Sequence, residues 1–414
     1  MDSDHVVIVG AGMVGLSTAY FLQERGVQAT VVDRLGVAAG SSWGNAGWLA
    51  PALTVPLPEP AMLGYGIRSV LQSGSALHIP WAVNLRLIRF LAGFALHCAP
   101  ARWRSAMAVF TKVNRVSMDA FDELTDGAVA EPTHLAEPLL NAFASSNARD
   151  ALAKAFDAVI SAGGDADFEV IDSDELRAIE PVLSDRVTTG LRLHGQRFID
   201  PPRFTKALAE AVRARGGVIV SGFDVKGIRD LGSSGIEAVP VSGEPLAADA
   251  AVIASGAWLG DLAGPFGVRR LVQAGKGYSF SVVPEVMPTH PIDLPGEHVA
   301  CTPLGDRLRI SGVMDLSSVD RPFDPRRLAS VVDAARPMMT GIDWESRSEE
   351  WVGSRPCTSD GIPLVGMTKS PRVYVAGGHG MWGITLGPLT GKYLAGMMTG
   401  GDVAPVMRHF DPLR

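Results

Sequence analysis

Apolar and polar positions in the first 33 residues predict a strand, a turn, a helix and a second strand. His5–Val9 is a short apolar run rich in valine and isoleucine, the pattern of a strand buried on both faces of a parallel sheet. Val14, Leu16, Ala19, Tyr20 and Leu22 then recur at helical spacing over residues 14 to 25, and Gly26 stops the helix. Ala29–Val32 predicts a second strand ending in Asp33. Further along, a helix over 203–215 leads into GGVIVSGFDV, residues 216–225, which reads as another buried strand; Ala250–Ala254 reads as one more. Val373–Ala376 predicts a strand, Trp351-Val352 part of another, and Leu386-Gly387-Pro388 the start of a helix running towards residue 398. Strands alternating with helices define an α/β fold around a parallel sheet.

The first turn carries chemistry. Gly10-Ala11-Gly12-Met13-Val14-Gly15 is a GxGxxG turn between strand and helix. In that setting Gly10 makes the tight turn, Gly12 lets backbone approach a pyrophosphate, and Gly15 lets helix and strand pack closely. The helix N-terminus favours the negative charge. Asp33, eighteen residues after Gly15, sits where a ribose is read and argues for a free 2'-hydroxyl, since a 2'-phosphate beside a carboxylate would be repelled. A Rossmann-like dinucleotide site follows, with Arg34 beside the acid. No second GxGxxG follows a strand, so no separate nicotinamide nucleotide site is expected and the electrons must come from the substrate.

With 414 residues, two intertwined domains of roughly 150 to 250 residues each are expected. Apolar residues make up 47% and charged residues 20%, and the net charge of -7 leaves no global basic field for nucleic acid. Cys98, Cys301 and Cys357 are odd in number and widely spaced, which argues against a disulfide framework or a zinc site; no metal is expected. The acidic start, Met1-Asp2-Ser3-Asp4-His5, lacks the basic region of a signal peptide, so a cytoplasmic location is expected. The scattered histidines and the absence of a GxSxG elbow offer no nucleophilic triad.

Two glycine-rich stretches narrow the cofactor: residues 40–51, GSSWGNAGWLAP, and residues 377–388, GGHGMWGITLGP. Between them lie Phe198-Ile199-Asp200-Pro201, the run Ala248–Trp258, Gly275-Lys276-Gly277-Tyr278, and GSRPCTSDG at 353–361. In this order and along nearly the whole chain, these motifs resemble the D-amino-acid oxidase superfamily of FAD-dependent oxidoreductases, and within it the bacterial D-amino-acid dehydrogenases. The resemblance implies an α/β plus α+β architecture, in which a Rossmann-like FAD-binding domain is interrupted by a substrate domain of mixed or antiparallel sheet and helices. The first would comprise 1–60, 145–265 and 350–414; the second, 61–144 and 266–349. Carried over motif by motif, the FAD contacts are Gly10–Gly15, Asp33, Arg34, Ser41, Ser42, Asn45, Ala46, Gly47, Trp48, Val225, Ser255, Gly256, Trp258, Gly380, Met381, Trp382, Gly383, Ile384 and Thr385. A helix N-terminus after Thr385 would stabilise the negative charge of reduced flavin.

The resemblance further implies oxidation of a small amino acid or amine, foremost a D-amino acid, to the 2-oxo acid and ammonia by hydride transfer. Arg355 falls where the family binds the substrate carboxylate, a task suited to a planar bidentate cation. His379 either supports loop backbone or touches substrate, and Tyr278 either lines the pocket or packs in the core. His298–Pro303, HVACTP, lacks the tyrosine that some family oxidases carry on that strand, which points away from glycine or sarcosine oxidase chemistry. Cys357 is read as a packed thiol and FAD as noncovalent. Other secondary amines, opines, or a flavin-binding subunit without turnover of its own remain the competing classes.

From Pro60 to Met118 there is no Asp or Glu, whereas Arg68, Arg86, Arg89, Arg102, Arg104, Lys112 and Arg115 are cationic. Arg86, Arg89, Gly93 and His97 share one face of a predicted helix too charged to span a bilayer. Two readings stand: a basic helix on an anionic membrane surface, or a helix packed over the substrate pocket with solvated arginines. The resemblance implies a quinone or another respiratory electron acceptor rather than oxygen.

Overall fold

The computed structural model describes residues 4–62, 77–80, 84–401 and 404–414. Arg68 of the basic insert and the Trp81–Val83 start of its apolar stretch lie outside them.

A six-stranded sheet runs in the order Val218–Ser221, Gln28–Asp33, His5–Val9, Ala250–Ile253, Val373–Gly377, Leu364–Met367. The first five are parallel and the last is antiparallel. His5–Val9 and Ala250–Ile253 are central and buried, as their unbroken apolar runs require. Val218–Ser221 departs from expectation: it forms an outer edge, leaves Val218 exposed, and has a single strand neighbour to cover it.

On this sheet the helix Met13–Glu24 lies against the helix Gly387–Met398. A Cβ at Gly391 would come within 2.6 Å of the Ser17–Thr18 backbone, so the contact needs glycine. A Cβ at Gly15 would lie 1.9 Å from the Gly10 carbonyl oxygen, which is the close helix–strand packing expected of the third glycine.

The second large sheet has nine strands. Along its main path run Ser348–Thr358, Val272–Val282, Leu308–Asp315, Val299–Pro303, Ile292–Leu294, Leu139–Phe143, Thr189–Leu193 and Phe168–Asp172, while Leu77–His78 pairs with Leu308–Asp315. Most pairings are antiparallel, but Ile292–Leu294 is parallel to Leu139–Phe143. Residues 145–265 therefore supply strands to both large sheets. The helix Pro325–Ala335 covers the face bearing Tyr278 and Phe280.

The helix of the basic insert spans Leu85–His97, capped by the Asn84 side chain, which accepts from Leu87 N–H. The helix buries Leu87 and Phe90, and both arginines of its expected basic face stay exposed. Arg86 pairs with Asp261 at 3.2 Å and donates to the Val272 carbonyl, and Gly93 packs on Ser359. Leu85, Ile88 and Leu96 face outward as well, beside exposed Arg89. No helix among the described residues is long and apolar enough to cross a membrane.

Candidate active site

The carboxyl ends of the parallel strands open onto a cavity of about 1010 Å3 whose other wall is the nine-stranded sheet. Gly10 takes φ +118° and would drive a Cβ to 2.4 Å from the Ala254 carbonyl oxygen, so the turn after the first strand excludes any side chain. Gly12 differs: the one group a Cβ there would crowd is the Ser42 side chain, at 3.0 Å, and its remaining surroundings belong to the cavity. The helix that follows has no capping side chain and no acid in its first turn, while Met13 N–H donates to Ser42 Oγ at 3.0 Å. Backbone groups and dipole are therefore available to an anion. Asp33 Oδ2 accepts from Ala11 N–H at 3.0 Å and Oδ1 accepts from Leu35 and Gly36, which fixes the carboxylate at the cavity wall. Arg34 stacks over the Trp258 ring at 3.7 Å. This cradle fits a dinucleotide with a free ribose hydroxyl.

Most of the expected cofactor residues converge on the cavity: Gly10, Gly12, Met13, Val14, Asp33, Arg34, Ser41, Ser42, Asn45, Ala46, Gly47, Trp48, Val225, Ser255, Gly256, Trp258 and Gly380 through Ile384 line it. Three stand behind the wall. Ala11 is buried and holds Asp33, Gly15 serves packing, and Thr385 is buried with its hydroxyl donating to the Trp48 carbonyl at 3.1 Å. The 40–51 loop is shaped by its own asparagine: Asn45 Nδ2 donates to the Ser41 and Ser42 carbonyls, and Asn45 Oδ1 accepts from Gly47 N–H at 2.7 Å. Ser41 Oγ donates to the Ser354 carbonyl, which ties this loop to the strand of Arg355.

On the opposite wall Arg355 lies over Gly277, where a Cβ would meet the guanidinium at 2.4 Å. Its Nη1 donates to the Val313 carbonyl at 2.8 Å. Val313 takes φ +62°, a strained conformation for a β-branched residue, and presents that carbonyl to the arginine. No carboxylate pairs with Arg355 among the described residues, and burial lowers its pKa. An arginine held at a cavity wall with no carboxylate partner among the described residues has the chemistry to bind a carboxylate.

His379 and Tyr278 also touch the cavity. His379 is buried, meets Thr390 Oγ1 through Nε2 at 2.9 Å, and has its pKa pushed down to about 4 by burial. It is a neutral imidazole joining the 377–388 loop to the following helix. The Tyr278 ring packs against Phe323 at 5.7 Å within the core under the helix Pro325–Ala335.

Sequence reading missed the polar scaffold beneath the 40–51 loop. Arg309, 1% exposed, pairs with Glu349 at 2.6 Å and donates to Ser279 Oγ, which in turn donates to the Gly44 carbonyl at 2.6 Å. Arg307 joins Glu349 to Asp200 of the Phe198–Pro201 motif. The Trp351 ring lies on Gly44 and Gly353, neither of which could carry a Cβ there. Polar residues at buried strand positions, such as Arg309 in LRISG and Thr302 in VACTP, are the available signal.

The family model described as FAD dependent oxidoreductase matches residues 5–397, and the chain belongs to that family. FAD is its cofactor, and the cradle of Gly10, Gly12, Asp33 and the helix N-terminus has the shape and donors to suit a dinucleotide. The chain is similar to a D-amino acid dehydrogenase of Cereibacter sphaeroides, with 31% identity over 95% of this chain and 92% of the relative. Among solved structures it is similar to glycine oxidase from Geobacillus kaustophilus, with a TM-score of 0.76 and 21% identity over 100% of this chain and 98% of the other. It also shares its fold with FAD-bound L-α-glycerophosphate oxidase from Mycoplasma pneumoniae, at a TM-score of 0.73 and 17% identity over 98% and 100% of the two chains.

Proposed function

We propose that this enzyme oxidises a D-amino acid to the 2-oxo acid and ammonia and passes the electrons to a quinone or another respiratory carrier. The carrying observation is Arg355: a guanidinium fixed over Gly277 at the cavity wall, with no carboxylate partner among the described residues. The relative named D-amino acid dehydrogenase supports the same substrate class.

Bound FAD supplies an acceptor for the hydride leaving the substrate Cα. The protein's part is orientation and exclusion of water. Arg355 takes the α-carboxylate in a bidentate grip and so fixes the direction of Cα–H. The substrate amine gives up a proton to water as its nitrogen becomes an imine, and water then hydrolyses the imine to the 2-oxo acid and ammonia. His379 positions the 377–388 loop, and Tyr278 braces the sheet below the substrate. Cys357 is buried among Leu77, Leu87, Phe90 and Leu316, which supports noncovalent FAD. The parallel sheet is assigned to the cofactor and the nine-stranded sheet to the substrate.

The strand Val299–Pro303 offers no tyrosine to a small substrate's carboxylate, which favours substrates larger than glycine or sarcosine. Anaerobic bleaching of the flavin by a panel of D- and L-amino acids, proline, hydroxyproline and sarcosine tests the reading. D-Amino acids should bleach it and their L enantiomers should not; bleaching by secondary amines alone would replace the proposed substrate class.

The acceptor reading rests on the outward apolar stripe Leu85, Ile88 and Leu96 beside Arg89, in a stretch without acids. Such a surface suits an anionic membrane, where quinone resides.

A further inference from the structure

The wall of the cavity formed by the nine-stranded sheet carries a carboxyl group with no counter-ion among the described residues. Asp293 pairs in register with Ala300, Ala300 with Ser311, and Ser311 with Ser279. Residues directly opposite one another across strands project from the same face. Asp293 therefore shares a face with Ser279, whose hydroxyl reaches Gly44 of the cofactor loop. Asp293, Ala300 and Ser311 all line the cavity. The charge acting on Asp293 is Glu297, of like sign; burial first and Glu297 second push its carboxyl up to about 7. A carboxyl kept from bulk water without a cation is unfavourable until a ligand balances it.

Its position relative to Arg355 sets the length of that ligand. The Arg355 guanidinium reaches the carbonyl of Val313, on the strand Leu308–Asp315. Asp293 lies two strands away in the same sheet. Asp293 is in register with Ser311, two residues from Val313, so at about 4.8 Å per strand and about 3.3 Å per residue the two anchors lie roughly 12 Å apart or somewhat more. An extended amino acid with a cation at the end of its side chain spans that distance once each ion contact takes its share.

We propose that Asp293 is the specificity-determining residue of this cavity, selecting substrates whose side chain ends in a cation, as in D-lysine, D-ornithine or D-arginine. The inference builds on the amino-acid reading above, with Arg355 holding the α-carboxylate and Asp293 the distal cation. A neutral side chain leaves Asp293 unbalanced, and discrimination arises from that unpaired group as much as from the pair formed.

Two measurements on the FAD-loaded protein test it. In anaerobic flavin reduction, D-lysine should exceed D-norleucine at least tenfold in kcat/KM, and Asp293→Asn should lower that ratio at least tenfold. In equilibrium titration followed by the flavin absorption spectrum, 6-aminohexanoate, which has no reacting α-amine, should bind more tightly than hexanoate in the parent protein and lose that advantage in Asp293→Asn. If no amino acid bleaches the flavin while the 6-aminohexanoate preference still depends on Asp293, the oxidation reading falls and cation selection stands. If neutral D-amino acids bleach the flavin and both preferences are the same in Asp293→Asn, cation selection is overturned and the oxidation reading stands.

Discussion

At the carboxyl edge of the parallel sheet the cavity is walled largely by backbone, whereas over the nine-stranded sheet charged side chains make the wall. Gly10, Gly12 and the uncapped first turn of the helix Met13–Glu24 offer amide groups and space. Arg355 and Asp293 offer a fixed cation and a carboxyl. A cofactor that stays bound through every turnover can be met by main chain, which tolerates little change. A substrate that must be distinguished from its neighbours is met by groups that a single substitution can alter.

The sharpest way to break this contrast is at the glycines. Gly12→Val should fold, because its Cβ meets only the Ser42 side chain, yet lose FAD, because the remaining branches enter pyrophosphate space. Bound flavin per purified chain should fall to near zero, at least a hundredfold loss of affinity, with far-ultraviolet circular dichroism preserved. Gly15→Val should instead fail to fold, its Cβ colliding with the Gly10 carbonyl. Stoichiometric flavin in the Gly12 variant would mean that the cradle has been misplaced.

On the side-chain wall, Arg355→Ala should leave flavin bound but lower kcat/KM for an amino acid by about two decades, since truncating one partner of a buried charge pair commonly costs a few kcal/mol. Arg355→Lys should recover little, because an ammonium lacks the bidentate fork. A tenfold loss or less, measured by stopped-flow flavin reduction, would remove Arg355 as the anchor.

The same contrast explains what could be read from the sequence. GAGMVG and Asp33 belong to one strand–turn–helix–strand unit, so spacing alone announced both the local fold and its ligand. The Arg309–Glu349–Ser279 scaffold and Asp293 depend on pairing among five strands spread over residues 272–358, an order that periodicity does not encode. Periodicity also marked the helix Leu85–His97 without its orientation. Arg86, Arg89, Gly93 and His97 share a face, yet Arg86 pairs with Asp261 at the surface while Gly93 packs on Ser359. The edge position of Val218–Ser221 was hidden for a similar reason: its apolar residues suit either a central or an outer strand.

His379 sharpens the comparison at the boundary between the two walls. Its pKa is depressed from an ordinary 6.5 to about 4, so in mildly acidic solution the unfolded chain takes up a proton that the folded chain refuses. Stability from this group is complete above about pH 6.5, is lost as pH falls, and changes no further below about pH 4. One pKa unit corresponds to about 1.4 kcal/mol, so roughly 2 kcal/mol should be lost between pH 7 and pH 5. Urea unfolding of the parent protein and His379→Gln at the two pH values should differ by that amount, with the variant less sensitive to acid. An equal pH response in both proteins would remove the buried neutral imidazole from the account.

The smallest expected effect concerns the outer surface, where two exposed arginines of one helix, Arg86 paired with Asp261 and Arg89, can be set against each other. Arg89 is exposed beside Leu85, Ile88 and Leu96, whereas Arg86 already engages Asp261 and the Val272 carbonyl. A cation near an anionic leaflet contributes about 1 kcal/mol, so Arg89→Ala should weaken partitioning to phosphatidylglycerol vesicles about fivefold. Arg86→Ala should weaken it less, because its charge is partly neutralised before the membrane is met. Raising the salt should release the parent protein, since the attraction is screened over a Debye length of about 8 Å at physiological ionic strength. Residual binding at high salt should depend on the apolar stripe and disappear in Leu85→Ser with Ile88→Ser, because burying those side chains is not screened by ions. Cosedimentation with vesicles separates the outcomes: equal losses for Arg86→Ala and Arg89→Ala would mean that both arginines face the lipid, and no sedimentation at any salt concentration would leave the stripe without a membrane to cover it.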